Sequence, residues 1–218
     1  MKTTLRPRKT SLPRFFIAVF AAFVACASIG ARIDDIAGQV WLYSPDTGEW
    51  IAAARNRPVT TGDHLATDNG ARAELAIGST VLRLDGATEV EVTRLDDQQV
   101  ELHVDGGSVG LRLRDQRAVG ELQITTSDGR VRFEATGRYR VDRLQNATDI
   151  TVYAGQAVYE GPNSALPLQV NQHGQFWIDA NGAAQYNLYE PARDAFAAWN
   201  VERDRAQDVA SVRYVSPR

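Results

Sequence analysis

Apolar and polar residues alternate along most of the chain from residue 39 to residue 179. The segment EVEVTRL places Val90 and Val92 on one face and glutamates on the other, and VELHV, SVGLRLR, RVRFEA and RYRVDR repeat the arrangement. A period of two residues is typical of β-strands with one buried face. The pattern predicts an all-β domain over residues 33–180, built from stacked short strands as a sandwich or an irregular β-solenoid.

Turn-forming dipeptides separate the alternating runs. Asparagine or aspartate followed by glycine tolerates the positive φ angles of tight turns, so each pair predicts a connection between strands. Their irregular spacing does not indicate a strict sequence repeat, although stacked two-strand units fit it. The four dipeptides are Asn69-Gly70, Asp85-Gly86, Asp105-Gly106 and Asp128-Gly129.

The period changes after Asp179. Pro191 can occupy the first turn of a helix, and apolar residues then recur at helical spacing. They predict an amphipathic C-terminal helix over residues 190–210, with its Phe/Trp stripe packed on the β domain or on a partner. Residues 211–218 are expected to form a disordered end. The apolar positions are Ala192, Ala195, Phe196, Trp199, Ala206 and Val209.

The N-terminal residues 1–27 have the features of an export signal. Five basic residues precede the apolar run FFIAVFAAFVACA, which ends in Ala25-Cys26-Ala27. This arrangement predicts a cleaved signal peptide and a periplasmic or otherwise exported protein. If the run extends through SIGA it reaches about 17 residues, so a short membrane anchor is the alternative. FVAC also resembles a bacterial lipobox, in which Cys26 would be lipidated.

Charge narrows the range of partners. The whole chain has 24 basic and 27 acidic residues, but without the leader 19 basic residues face 27 acidic ones, a net charge of −8. A domain this acidic does not attract nucleic acid through a positive field. The chain has one cysteine, Cys26, so the domain after the leader is expected to hold together without an internal disulfide.

The densest group of reactive side chains is in the segment TTGDHLATDNG. Asp63, His64, Asp68 and Asn69 lie within seven residues, but short polar side chains beside glycines are also typical of turns. The other histidines are far away in sequence, and the chain has no nucleophile elbow, phosphate-binding loop or dinucleotide-binding motif. We therefore expect no catalytic, cofactor-binding or metal-binding residues and no enzymatic activity.

Tryptophans offer a second kind of candidate site. Trp41 and Trp50 flank SPDTG, a predicted hairpin turn, and Trp177 lies in a later strand. These three residues could contact a glycan or a protein partner, whereas a cross-strand aromatic pair at the hairpin would be explained by fold stability alone.

Two segments together resemble the FecR domain, a periplasmic module: VTTGDHLATDNGARAELAIGSTVLRLDGATEVEV and VELHVDGGSVGLRL. The resemblance covers about residues 36–160. It implies an all-β extracytoplasmic domain without catalytic residues. The positions that match the family pattern are Gly62, Asp63, Leu65, Thr67, Gly70, Ala73, Leu75, Gly78, Ser79, Leu82 and Gly107.

FecR regulators relay signals from an outer-membrane receptor to a cytoplasmic sigma factor through a segment that precedes a transmembrane helix. Here 14 residues precede the apolar run, fewer than a sigma-binding segment needs. The resemblance therefore favours a stand-alone exported module that binds an envelope protein or a cell-wall component. The alternatives are a membrane-anchored signalling partner of a receptor and sigma-factor system, and a peptidoglycan- or carbohydrate-binding module.

Overall fold

The computed structural model describes residues 30–191 and 193–214, in which β-strands predominate and one α-helix follows them. The predicted all-β fold with a C-terminal helix is confirmed. The predicted signal peptide, residues 1–27, and Cys26 lie outside the described residues. None of the helices in the described part of the chain is long and apolar enough to cross a membrane.

The described strands form two layers, which share the long strand β9 (Val100–Leu113). Sheet A has the order β4 (Pro58–Val59), β1 (Ala31–Ala37), β6 (Arg72–Ile77), β7 (Thr80–Leu84), β9, β12 (Gly137–Arg143), β13 (Thr148–Ala154), β16 (Gln172–Ile178) and β17 (Ala184–Tyr189). Sheet B has the order β3 (Glu49–Ala52), β2 (Val40–Ser44), β5 (His64–Thr67), β8 (Glu89–Leu95), β9, β10 (Leu122–Thr126), β11 (Gly129–Phe133), β14 (Ala157–Gly161) and β15 (Ser164–Leu168). A short 3₁₀ turn, Gln116–Ala118, follows β9.

Strand β9 corrects one predicted turn. Asp105-Gly106 was expected to separate two strands, but the chain stays extended there and passes from sheet B into sheet A. The change of sheet comes at Gly107, whose φ is +84°, and a β-carbon at this position would collide with the backbone of Ala87 and Thr88. A glycine is needed for this crossing, so the dipeptide marks a bend within a strand. The other three predicted dipeptides lie in or beside turns.

The second half of the domain is built from hairpins that alternate between the layers. β10–β11 lies in sheet B, β12–β13 in sheet A, β14–β15 in sheet B and β16–β17 in sheet A. Each hairpin points its apolar face at the opposite sheet, as in a sandwich. Phe133 therefore lies 4.7 Å from Tyr139 between ring centroids, and Tyr159 stacks on Phe176 at 3.9 Å.

Helix α1 (Ala195–Tyr214) packs on the outer face of sheet A. It begins after Asp194, whose carboxylate accepts a hydrogen bond from Ala197 N at 2.8 Å, as a helix cap does. It therefore starts five residues later than predicted. It continues to Tyr214, into the segment 211–218 expected to be a disordered end, and residues 215–218 lie outside the described part.

The prediction of an apolar stripe on the helix is only partly confirmed. Phe196 is buried and Trp199 is half-buried, but Ala195, Ala206 and Val209 are exposed. Polar side chains occupy the face that meets the sheet instead, and Ala192 lies outside the described residues. A helix can bury polar residues in this way only if each has a partner on the sheet.

Candidate interaction surfaces

Two of the three predicted tryptophans lie together on the outer face of sheet B. Trp41 and Trp50 are 37% and 45% exposed and, with Ala66 and Glu89, line a shallow depression of about 370 Å³. The indole N–H of Trp41 donates a hydrogen bond to Asp68 Oδ1 at 3.1 Å. This depression presents aromatic surface to solvent.

The third predicted tryptophan, Trp177, belongs to a different part of the molecule. It lies on β16 in sheet A, opposite Gln185, and is half-buried. The structure therefore brings Trp41 and Trp50 together but leaves Trp177 apart, so a single three-tryptophan site is not formed.

His64 completes an aromatic patch, defined here as Trp41, Tyr43, Trp50 and His64. Tyr43 pairs with Trp50 on one side and with His64 on the other. The ring centroid of His64 is 5.5 Å from that of Tyr43 and 6.4 Å from that of Trp50. These cross-strand contacts stabilise the hairpin and fix the position of the imidazole.

In the reactive-looking segment around His64, the Asp63 side chain is turned inward and the His64 side chain is turned outward. Asp63 is buried, and its carboxylate accepts hydrogen bonds from Thr60 N at 2.8 Å and from Thr60 Oγ1 at 3.2 Å. Asp63 therefore holds the turn before β5. His64 lies on the outer face, because successive side chains of a strand point to opposite sides.

Two carboxylates from other strands approach His64. Glu89 on β8 and Asp105 on β9 each offer an oxygen, and these atoms and a ring nitrogen of His64 all lie within 4.8 Å of one another. No local sequence pattern indicates this group, because its other two members are 25 and 41 residues from His64 in sequence. Only the pairing of β5 with β8 and of β8 with β9 brings them together.

A buried ionic cluster, defined as Glu74, Arg83, Arg203 and Asp204, joins helix α1 to sheet A. The side chain of Arg83 is only 2% exposed. Its Nε donates to Glu74 Oε2 at 2.7 Å and its Nη1 donates to Asp204 Oδ1 at 2.7 Å. One arginine on β7 therefore binds a carboxylate on the neighbouring strand and another on the helix.

Glu74 receives further donors from the helix. Its Oε1 accepts from Arg203 Nη2 at 3.1 Å and from Gln207 Nε2 at 2.7 Å. Burial by itself would raise the pKa of Glu74, but the hydrogen bonds and charges of Arg203 and Arg83 outweigh burial and hold the pKa below its ordinary value. The carboxylate is therefore ionised and fully partnered.

The sequence indicates that the side chains of Glu74 and Arg83 point outward from the sheet, but it does not indicate that they are buried. Glu74 and Arg83 occupy the polar positions of RAELAI and TVLRL, where alternation predicts exposure to solvent. Their burial depends on the helix that covers them, more than one hundred residues later in sequence.

A cleft of about 890 Å³ lies beside the ionic cluster, between helix α1 and the outer face of β12 and β13. Arg140 on its wall binds Asp142 with 2.7 Å between Nε and Oδ1, and it also binds Asp194 at the start of the helix. Burial lowers the pKa of Arg140, but the two carboxylates outweigh this effect and raise it above its ordinary value. Arg140 therefore ties the beginning of the helix to the sheet.

Strand β17 forms an exposed edge of sheet A. It pairs with β16 on one side, and within residues 30–191 and 193–214 no strand pairs with its other side. Its sequence AQYNLY has no charged residue, and Tyr186, Leu188 and Tyr189 are each about half exposed, at 51%, 48% and 51%. Edge strands are usually protected by charge, proline or short length. β17 has none of these protections.

Comparison with known proteins identifies one family. The family model described as FecR protein matches residues 63–158. No curated protein matches the chain. Two crystal structures of a candidate anti-sigma factor from Parabacteroides distasonis ATCC 8503 are similar, with 18% and 16% sequence identity, each over 58% of this chain and with a TM-score of 0.48.

The chain spans about 60% of the length of those two solved structures. The family match begins at Asp63, in the turn before β5, and ends within β14, so it includes the aspartate that holds that turn and the strand β9 that joins the two sheets. Residues 63–158 of the chain therefore match a FecR domain.

Proposed function

We propose that this chain is a non-enzymatic, extracytoplasmic regulatory module of the bacterial cell envelope that binds a partner protein along the edge of β17. The FecR match supports a regulatory role in signal transduction. The predicted export signal in residues 1–27 supports a periplasmic location, with retention of a membrane anchor as the alternative.

The observation that carries the proposal is the unprotected edge of β17. Tyr186 and Leu188 pair with Phe176 and Gly174, which are buried in the core, so their side chains extend the apolar inner face of sheet A. The rings of Phe176 and Tyr186 lie 6.2 Å apart between centroids. An extended segment of another protein could pair with the open backbone and place alternate apolar residues against this surface.

The alternating hairpins indicate what shape of partner fits. β16–β17 is the last described hairpin and lies in sheet A, while sheet B ends at β15. A strand that pairs with the edge of β17 would instead widen sheet A, and its inward side chains would continue the apolar surface of Tyr186 and Leu188. We therefore expect a β-strand or β-hairpin of the partner protein, with apolar residues at every second position.

A charge on the edge tests the proposal. Leu188→Lys places a charge on the inner face of β17, where it would be desolvated by an added strand, and it is expected to abolish capture of the partner from envelope extracts. Val209→Lys is the matched control, because Val209 is also an exposed apolar residue, at 57% against 48% for Leu188, but lies on helix α1. Equal capture by both variants would contradict the proposed edge.

Hydrogen exchange provides a second readout with the captured partner. The outward-pointing amides of β17 have no strand partner within the described residues, and pairing with an added strand should slow their exchange. Slower exchange elsewhere with no change in β17 would reject strand addition while leaving protein binding intact.

The location is tested by mass spectrometry of the chain's N-terminus in envelope fractions. A start near Ser28 is expected from a cleaved signal peptide. An intact Met1 would instead support the membrane-anchored signalling role, and an acylated Cys26 would support a lipoprotein.

The depression at Trp41 and Trp50 favours a second candidate function, binding of peptidoglycan or another carbohydrate. Exposed indole rings stack on sugar faces, and the depression is open to solvent. Titration with peptidoglycan fragments should then shift tryptophan emission, and Trp50→Ala should weaken the binding that isothermal titration calorimetry measures. No shift at any fragment concentration would eliminate this candidate.

A further inference from the structure

We propose that His64, Glu89 and Asp105 form a binding site for a divalent transition-metal ion of the Zn²⁺ class on the outer face of sheet B. This site is independent of the β17 edge, which lies in sheet A. The three side chains come from β5, β8 and β9, which are neighbours in the sheet. Ala66 pairs with Glu89, and Glu89 pairs with Gly106, so the backbone positions are set by strand register.

The distances fit one shared cation. One donor atom from each side chain lies within 4.8 Å of the other two. An ion between them reaches the usual bond lengths of roughly 2.0–2.2 Å after small side-chain rotations. Glu89 and Asp105 are exposed, so solvent could supply the remaining ligands. The result is a three-residue open site.

The imidazole selects the class of metal. Carboxylates alone would suit Mg²⁺ or Ca²⁺, whereas a histidine beside two carboxylates favours Zn²⁺, Co²⁺, Ni²⁺ or Cu²⁺. The ring of His64 is held by the T-shaped contacts with Tyr43 and Trp50. A ring that is already positioned loses less freedom when it binds the ion.

The surrounding charges also favour a cation. Glu89 and Glu91 project from the same face of β8, and among the described residues neither forms an ion pair with an arginine. Carboxylates that face each other across strands repel. A bound divalent ion would offset that repulsion.

A second histidine is oriented toward the site. His103 Nε2 lies 3.6 Å from Asp105 Oδ1, and His103 Nδ1 is 2.9 Å from Thr125 Oγ1. Histidines near metals are commonly held by such a hydrogen bond through the other ring nitrogen. His103 can therefore orient Asp105 or serve as a further ligand.

Titration of the purified full-length chain with Co²⁺ and Zn²⁺ tests the site. Cys26→Ala should be present in every sample, so that the single cysteine of the chain does not contribute. Because Trp50 lies 6.4 Å from His64 between ring centroids, Co²⁺ should quench tryptophan emission in a saturable manner, and Zn²⁺ should reverse the quenching by displacement.

The variants His64→Ala, Glu89→Gln and Asp105→Asn should each weaken Co²⁺ binding at least tenfold. The matched control is His173→Gln, since His173 also lies beside a carboxylate, with 3.3 Å between its Nε2 and Asp149 Oδ2, but in sheet A. This control should bind as the parent does. Far-ultraviolet circular dichroism checks that each variant is folded, and the two carboxylate variants retain side-chain size at exposed positions.

Two results would overturn the proposal. One is the absence of saturable quenching up to millimolar Co²⁺ in the parent. The other is binding that all three site variants retain at parental affinity, which would place the ion elsewhere.

Discussion

The outer faces of the two sheets are built from the outward-pointing positions of alternating strands, but helix α1 covers part of one face and the other is exposed to solvent. Arg83 on β7 and Trp50 on β3 both project away from the core, yet the first side chain is 2% exposed and the second residue is 45% exposed. Helix α1 covers part of sheet A, whereas no described helix covers sheet B. An outward-pointing side chain of this fold therefore has a structural role where helix α1 covers it, and it is available for binding where the helix does not.

The covered face depends on paired charges, whereas the part of the open face around His64 combines aromatic rings with Glu89 and Glu91, which form no ion pair with an arginine among the described residues. Buried ions require partners because a lone charge away from water is costly. On the open face water solvates the carboxylates, so the fold tolerates them unpaired. Variants that act on one face and not on the other should make this difference measurable.

The largest effect is expected from Arg83→Ala. This change leaves Glu74 and Asp204 buried without their shared partner, and the free energy of unfolding should fall by about 3–5 kcal/mol. Urea denaturation followed by circular dichroism measures the change. Arg117→Ala is the control, because Arg117 forms an exposed pair with Asp115, and it should leave stability unchanged. Similar losses in both variants would mean that the buried cluster has no special role.

Phe196→Ala should have a somewhat smaller effect. Phe196 is 1% exposed and packs between Trp199 and the guanidinium of Arg140. Removing a buried ring should cost about 3 kcal/mol. Hydrogen exchange should show faster opening of helix α1 than of the core strands. Uniform acceleration across both sheets would instead mean that the helix and the sandwich unfold as one unit.

Acidification should lower the free energy of unfolding through protonation of Glu74. The pKa of Glu74 is held below its ordinary value of 4.5, so its contribution to stability is complete above the unfolded-state pKa and is lost as the pH falls through the lower folded-state pKa. Glu74→Gln should therefore be less stable at neutral pH and should lose less further stability on acidification. Urea denaturation between about pH 3 and pH 7 gives this slope. Parallel curves for parent and variant would contradict the linkage.

The smallest effect on stability is expected on the open face. Trp50→Ala removes a cross-strand aromatic contact with Tyr43, which should cost only about 0.2–1 kcal/mol. The same variant keeps all three proposed metal ligands, so calorimetric titration should show unchanged Co²⁺ binding but weakened glycan binding. A loss as large as that of Phe196→Ala would show that the aromatic patch is structural.

Much of the fold followed from local pattern. Alternation in EVEVTRL and SVGLRLR predicted strands with buried valines and leucines, and Val90, Val92, Val109 and Leu111 are all buried. Asn69-Gly70 and Asp128-Gly129 lie at turns as predicted. Asp105-Gly106 does not, because a glycine permits a turn without requiring one, and the strand pairing on both sides of Gly107 kept the chain extended.

The candidate sites were less predictable. Trp41 and Trp50 lie on the same face of one short hairpin, in which Trp50 pairs with Tyr43, so neighbours in sequence were enough to suggest that they lie together. His64 meets Glu89 and Asp105 through two further strand pairings, and no local pattern indicates which strands are adjacent. The helix periodicity predicted an apolar stripe, but Ala206 and Val209 are exposed because Asp204 and Gln207 contact the sheet.

The sequence alone determined the strand periodicity, most core positions and the family signature from Gly62 to Gly107, because these depend on residues close together in the chain. The tertiary structure decided which strands are neighbours, which outer face the helix covers and therefore which polar residues are buried. Glu74 and Glu89 illustrate this division, because both occupy polar positions of alternating strands. The first lies beneath helix α1 among arginines, and the second faces solvent beside His64. Burial of a charge depends on long-range contacts, which alternation along a strand does not encode.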